Sequence, residues 1–469
     1  MVKIIKKTHL LAHVIFGCFL IYLPSLLNFF SGDDWFHLRI TQIFSFNQFL
    51  DFFSFTHTNQ SAAFYRPIPT QVFFFVFQAL FGLNAWPYHL FVLICFGYSL
   101  FLVYQFARKQ FGYESKAILA TAIYGLSVSN FTRIYFLSSF QEVALVIFSL
   151  LCLLSFPNSK VKSIIFFVLA LLSKETAVIL PLLILLFNFK IIKKNLASIL
   201  PTVVILLIYL FLRFKVFGNT VGDSYLWNFS PAKAANTLMW YVLWSFGAPE
   251  LLVDYVGSGL RLVPKFFTDY PLWWKIILAL LFGTLATSSL LLLKRLKNID
   301  SSFAKYVLLF LMTILPVLFL PAHKFSLELG LPLVGLSLCL AWLLPKKNTF
   351  LATIFFFFYI ALNLSMNYLT YTRHYSVSRG AISRKVYDYF SKNYPIYPSG
   401  KYFQFINDSG DFGSQWGQSK QISQALSGSD FFKVFYKSSD KKVYYQDIPE
   451  VTPSNKSPIY LSTKQFLSQ

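Results

Sequence analysis

"SIIFFVLALLSKETAVILPLLILLFNF", residues 163 to 189, is an apolar run with basic residues on both flanks: Lys160 and Lys162 before it, Lys190, Lys193 and Lys194 after it. A single helix over this run would place the two flanks on opposite sides of a membrane. It would also leave Lys174 and Glu175 in hydrocarbon, at about 2.5 kcal/mol or more per charge. Two short helices meeting at "SKET" return both basic flanks to one side and carry the Lys/Glu pair towards the other. Because each half is short, the turn sits recessed in a cavity, where non-helical backbone is tolerated.

The rest of the chain agrees with that reading. Its 469 residues are 56% hydrophobic, 20% aromatic and only 13% charged, the balance of a polytopic membrane protein. The net charge of +22 is carried by short loops between apolar runs. That is the positive-inside pattern, and it does not point to a nucleic-acid partner. Cys18, Cys95, Cys152 and Cys339 all fall inside apolar runs and read as small buried hydrophobes. Residues 1 to 30 start basic and continue apolar without a small-x-small cleavage site, so a retained first span is expected.

Charge parity sets the topology. The first span, about 8 to 30, leaves the N-terminus cytoplasmic and delivers "GDDWFHLRI" to the outside. The basic clusters Arg108/Lys109/Lys116, Lys160/Lys162, Lys190/Lys193/Lys194, Lys294/Arg295/Lys297 and Lys346/Lys347 must then return to the cytoplasm. "RPIPTQVFFFVFQALFG" is short for a span, and crossing there would send Arg108 and Lys109 outside. Residues 31 to 85 are therefore expected as an external loop of helices lying on or dipping into the membrane surface. Phe36, Ile40, Ile43 and Phe44 form the membrane-facing stripe of the first. Further spans are expected near 86–107, 115–133, 138–156, 162–173, 176–189, 196–216, 271–293, 303–321, 327–344 and 349–368, making about 11 transmembrane helices. Residues 217–270 form a second large external loop, with "NTLMWYVLWSFGAPELL" re-entrant or surface-lying. The predicted architecture is an all-α transmembrane domain over 1–369, followed by a small α/β external C-terminal domain over 370–469. In that tail "ISRKVYDYF" reads as a helix with Ile382, Val386, Tyr389 and Phe390 on one face. "KYFQFI", "FFKVFY", "KVYYQD" and "PIYLS" read as strands.

The polar residues of the external face carry the chemistry. Asp33 and Asp34 are adjacent carboxylates, each raising the other's proton affinity, which suits a general base. Acids at a helix start also serve as caps or dipole partners. Arg66 precedes a proline-started helix, and its planar fork of donors suits phosphate, although an interfacial Arg beside Tyr65 also snorkels. Lys174 is a recessed phosphate candidate that Glu175 would partly neutralise. "PAHKFSLELGLP", 321 to 332, brings His323, Lys324 and Glu328 to another external turn. The seven histidines show no metal-binding spacing beyond Asp33 to His37, so no metal is assigned, although a divalent cation on Asp33, Asp34 and His37 stays open. No Walker loop, GxSxG or dinucleotide fingerprint is present, and no cofactor is expected.

The order of these motifs resembles the GT-C superfamily of polyprenyl-phosphate-sugar glycosyltransferases, and most closely protein O-mannosyltransferase-like membrane proteins. That family has an Arg-Pro helix, a Leu-Phe-Gly-Leu-Asn turn and a Gly-Tyr-His-started span, and here "RP", "LFGLN" and "PYH" follow in the same order. "LLSKET" matches the family's Lys-Glu turn. The resemblance covers about 10–190 and, faintly, 300–345. It implies that Asp33 and Asp34 are the acidic catalytic pair, and it maps the family's Lys-Glu turn onto Lys174 and Glu175 and its charged late turn onto Lys324. Arg66, Lys174 and Lys324 are expected to bind the donor phosphate. His37, Glu142, Glu175 and His323 are expected to contact substrate. The chain departs from the family in "LSVSNFTRIYFLSSFQEV", 126 to 143, which leaves Asn130, Arg133 and Glu142 as its polar groups, and in lacking tetratricopeptide repeats. The implied activity is inverting transfer of a mannose-like hexose from a polyprenyl-phosphate-linked sugar to a protein or glycan acceptor. It would take place on the external face of a multi-pass cell membrane, bacterial cytoplasmic in type, amid membrane lipid. The alternatives are a lipid-linked-sugar transporter or flippase and a non-catalytic relative.

Overall fold

The computed structural model describes residues 2–218, 225–257, 261–345, 349–408 and 417–467. Lys346 and Lys347, expected in a cytoplasmic loop, lie outside the described residues.

Among the described residues eleven helices run between two ends of the molecule: α1 (Val2–Tyr22), α5 (Trp86–Phe111), α6 (Glu114–Leu126), α8 (Phe140–Ser155), α9 (Lys160–Leu171), α10 (Leu180–Lys194), α11 (Leu200–Phe211), α14 (Trp273–Arg295), α15 (Ser301–Leu318), α16 (Pro332–Leu343) and α17 (Phe350–Arg373). Side-chain contacts define the ends. At the near end the Tyr22 hydroxyl donates to Ser127 O at 2.8 Å, Asn28 Nδ2 to Tyr135 O at 2.7 Å, and Lys174 Nζ to Glu328 at 2.6 Å. At the far end Ser163 Oγ donates to Cys152 O at 3.0 Å, Lys116 Nζ to Trp342 O at 3.1 Å, and the Phe111 and Tyr306 rings meet edge on. Among the described residues eight helical segments are long and apolar enough to cross a membrane, which makes this a multi-pass membrane protein by composition. Helices α6, α9 and α16, of 13, 12 and 12 residues, are shorter. At 1.5 Å per residue they reach about 18–20 Å against a hydrocarbon core of about 30 Å.

Helix α6 is shorter than the expected 115–133 span for a local reason. Asn130 Nδ2 donates to Tyr124 O at 2.6 Å and so takes up a carbonyl at the end of α6. The Ser127 side chain then caps the next turn. The chain restarts as α7 (Phe131–Tyr135).

With α7, and apart from the C-terminal tail, further helices among the described residues gather at the near end: α2 (Asp33–Ile40), α3 (Phe46–Leu50), α4 (Phe73–Phe81), α12 (Pro231–Ser245) and α13 (Pro264–Asp269). Segment 67–81 packs inward, Phe73 meeting the rings of Tyr88, Phe91 and Phe140. In α12, within the second large loop, Trp240, Tyr241 and Trp244 are buried, and Ser129 Oγ donates to Trp244 O at 2.8 Å.

The expectation for the first of these helices is corrected. Helix α2 ends at Ile40 and is not surface-lying: Trp35, Leu38 and Ile40 are buried, while Phe44 beyond it is 90% exposed. Its cover is the C-terminal tail, which comprises α18 (Tyr375–Asn393), β1 (Lys401–Ile406), α19 (Gln418–Leu426), α20 (Asp430–Phe435), β2 (Val443–Tyr445), β3 (Ser457–Ser462) and α21 (Lys464–Leu467). The strands form a parallel sheet in the order β2-β1-β3, with Phe403 opposite Val443 on one side and Ile459 on the other. "FFKVFY", expected as a strand, is helical in α20. Its apolar residues Phe431, Phe432 and Val434 are all buried, serving the sheet on one side and α2 on the other. Trp35 stacks edge on against Phe431 at 4.8 Å and donates to Ser383 Oγ at 2.8 Å, while Arg39 pairs with Asp430 at 2.7 Å.

Candidate active site

Gly32 turns the chain into α2 with φ +52°, a backbone region that favours glycine, and its N–H donates to Ala425 O of the tail at 2.8 Å. The turn sets the two acids of "GDDW" in different surroundings. Asp34 is buried, and three donors converge on it: Ser31 N–H at 2.9 Å on one oxygen, Ser138 N–H at 2.8 Å and Ser138 Oγ at 2.6 Å on the other. Burial pushes its carboxyl up to about 7 against the pull of those donors. Asp33 lines an open chamber. Burial within the protein envelope pushes its carboxyl up too, while Arg379 draws it down.

That chamber, of about 460 Å³, is lined by Asp33, His37, Arg66, Ser138, Gln141, Tyr225, His323 and Glu328 among others. An apolar cleft of about 200 Å³ adjoins it, walled by Tyr209, Leu210 and Phe214 on one side and Pro316, Val317 and Leu320 on the other. The two spaces share Phe64, Arg66, Tyr225, His323 and Glu328.

The charged residues at the shared wall are tied to one another. Arg66 Nε donates to Glu175 Oε2 at 2.7 Å, a second of its nitrogens reaches Glu175 Oε1, a third donates to Gln141 Oε1 at 2.7 Å, and its guanidinium lies 4.1 Å from the Phe64 ring centre. Lys174 is enclosed between two carboxylates, hydrogen-bonded to Glu142 and at 2.6 Å to Glu328. Burial alone would raise the Glu328 carboxyl, but Lys174 and His323 hold it below the usual range. His323 Nε2 lies 3.7 Å from Glu328 and its ring tilts against Tyr225. The 326–329 turn is pinned from below by Glu250, which accepts from the Ser326 N–H at 2.8 Å and from its hydroxyl.

Thus Asp33, Arg66, His37 and His323 face one chamber, while Lys174, Glu175 and Glu142 form the ion-paired layer beside it. Burial and the nearby Arg66 charge push His37 down to about 3, so it is a neutral imidazole. Glu142 Oε2 is buried without a hydrogen-bond partner. Lys324 does not join this group. It donates to Asn236 Oδ1 at 3.0 Å and lines a different cavity, of about 510 Å³, with Glu250, Asp254 and Arg373; Phe325 and Tyr375 are common to that cavity and the chamber. Ser138, Gln141 and Tyr225 were not among the sequence candidates. Ser138 lies 104 residues from the aspartate it holds, and no local pattern marks it. Among the described residues no group of three or more His, Cys, Asp or Glu is arranged to hold a metal ion.

No protein-family model and no curated protein matches the chain. Among solved structures it is similar to the oligosaccharyltransferase of Archaeoglobus fulgidus. With that protein, AglB, in complex with an inhibitory peptide and a dolichol-phosphate, the TM-score is 0.43 at 13% identity, over 90% of this chain and 64% of that one. With its complex with Zn and sulfate the score is 0.43 at 14% identity, over 88% and 61%. With the apo form it is 0.44 at 13% identity, over 89% and 64%. The chain spans less than two thirds of the length of those proteins, and a likeness of that size decides neither fold nor activity.

Proposed function

We propose that the protein is a membrane glycosyltransferase that takes a hexose, mannose-like in type, from a polyprenyl-phosphate carrier and passes it with inversion to an acceptor hydroxyl of a protein or glycan. The observation that carries this reading is the shared wall between a polar chamber lined by Asp33 and an apolar cleft between α11 and α15. A lipid-linked sugar has that division, a polar head and a hydrocarbon tail joined at phosphate.

In this reading Asp33 is the base. It takes the proton of the acceptor hydroxyl as that oxygen attacks the anomeric carbon. The bond from that carbon to the phosphate oxygen breaks, and the polyprenyl phosphate leaves with the electron pair. Arg66 stands where both spaces meet. Three of its five N–H groups are used on Glu175 and Gln141, and the remaining two are oriented by those bonds to receive a phosphate oxygen. Lys174, with a carboxylate on each side, positions Glu328 and through it His323. The cavity of Lys324 is the acceptor's approach, opposite the apolar cleft. No cofactor enters this scheme.

The test is transfer from labelled polyprenyl-phosphate hexoses by the purified protein in lipid. Asp33→Asn is expected to lower the rate by about a hundredfold or more with the protein still folded. Transfer at the wild-type rate by that variant would remove Asp33 as base. Neither transfer nor donor hydrolysis by the wild type across several sugars, with movement of the donor between leaflets instead, would replace the enzyme with a flippase.

A further inference from the structure

A larger cavity, of about 850 Å³, lies at the far end of the helix bundle, away from the acidic chamber. Lys109 of α5, Lys190 of α10 and Lys305 of α15 line it, and among the described residues no carboxylate does. The rest of its wall is Pro157, Met312 and, from α10, Leu182 and residues 185 to 191. Seven consecutive residues, 185 to 191, face this one space. A regular helix, turning 100° per residue, would carry half of them away from it. The turn is broken at Asn188 (φ −124°, ψ 23°), whose side chain donates to Ile184 O at 3.3 Å and so satisfies a carbonyl inside the apolar wall. The break sets Phe189 and Lys190 on the same cavity, and Phe189 is 57% exposed.

We infer that this cavity binds the phosphate headgroup of an anionic phospholipid from the leaflet opposite the active site, with the acyl chains along Leu182, Leu185 and Phe189. Three ammonium groups without a counter-carboxylate are complementary to a phosphodiester. Basic pockets between membrane helices are suited to such headgroups. The exposed apolar floor selects a lipid over free phosphate, which would leave Leu182, Leu185 and Phe189 uncovered.

Native mass spectrometry of the full chain in detergent, titrated with dioleoyl-phosphatidylglycerol, reads the site directly. One tightly held lipid is expected on the wild type. Affinity should fall by roughly a hundredfold in Lys109→Gln/Lys190→Gln/Lys305→Gln, about fivefold for each lysine. A control triple, Lys162→Gln/Lys294→Gln/Lys297→Gln, removes equal charge from exposed lysines outside the cavity and should bind as the wild type does. Equal binding of dioleoyl-phosphatidylcholine, unchanged binding in the cavity triple, or displacement of the lipid by equimolar inorganic phosphate would each overturn the inference. Should the cavity triple fail to fold, Lys190→Gln and Lys305→Gln singly must each show the fivefold loss, and wild-type affinity in either would overturn it.

Discussion

Asp33 and Asp34 are neighbours in sequence and opposites in role, and titration separates them. Burial raises Asp34 from its ordinary value of 3.8 to about 7. Between those values the folded chain holds a proton that the unfolded chain has released. Stability is therefore greatest at the acid side of this window and falls as pH rises through it, by up to about 1.4 kcal/mol per pH unit. Above about 7 both forms are ionised and the full cost of the buried anion remains. Asp33, also raised, adds in the same direction. The measure is thus the difference between wild type and Asp34→Asn in thermal unfolding at about pH 5 and about pH 8, where the variant should show the flatter profile. Ser138→Ala removes a hydrogen bond to the charged form, so its cost, about 1.5–3 kcal/mol, is expected above about pH 7 and should shrink in acid. An equal loss at both ends would mean that the Ser138 hydroxyl does not act on the carboxylate. The sequence showed two acids at a helix start. Which of them faces open space depended on a serine from another helix and on a glycine turn held by the tail.

At the scale of the element, the link between α9 and α10 was the most readable feature of the chain. Basic flanks and an interrupting Lys/Glu pair require two helices with a turn, and Ser173–Lys174 is that turn. Its partners were less readable, because hydrophobic patterning reports that a residue is buried but not against what. Glu142, 32 residues back at the start of α8, and Glu328, 154 residues on, both close on Lys174. Lys174→Met would leave two carboxylates facing each other in a buried space without their cation, at about 3–5 kcal/mol. Lys174→Met combined with Glu142→Gln should recover part of that loss, since only Glu328 then stays ionised, with His323 beside it. Denaturant unfolding of the three proteins checks the order. A double variant no more stable than the single one would show that Glu142 and Glu328 are not coupled through the lysine.

For the whole molecule, the docked tail constrains topology more tightly than helix length does. Trp35, Arg39 and Gly32 of the first loop touch Phe431, Asp430 and Ala425 of the tail, so loop and tail share one side of the membrane. An even number of crossings must then separate them. Of the eight segments long enough to span, seven follow α2, an odd number that would send the tail to the wrong side. Adding α6, α9 and α16 makes ten, and the near-end and far-end contacts alternate through α5, α6, α8, α9, α15 and α16. Three helices shorter than a bilayer core are expected to cross because both of their ends are fixed: Glu142 and Glu328 hold Lys174 just beyond α9 at the near end, and Lys116 of α6 reaches Trp342 of α16 at the far end. Sequence charge led to the same side for loop and tail, but by a route that never used their contact. Cysteines introduced singly at the exposed residues Asn47, Lys392 and Lys162 read the result with a membrane-impermeant maleimide on sealed vesicles. Asn47→Cys and Lys392→Cys should label from one side, and Lys162→Cys, at the start of α9, only from the other. Labelling of Lys162→Cys together with the first two would mean that α9 does not cross. Labelling of Asn47→Cys and Lys392→Cys from opposite sides would separate the tail from the loop it covers, and with it the buried setting of Asp34.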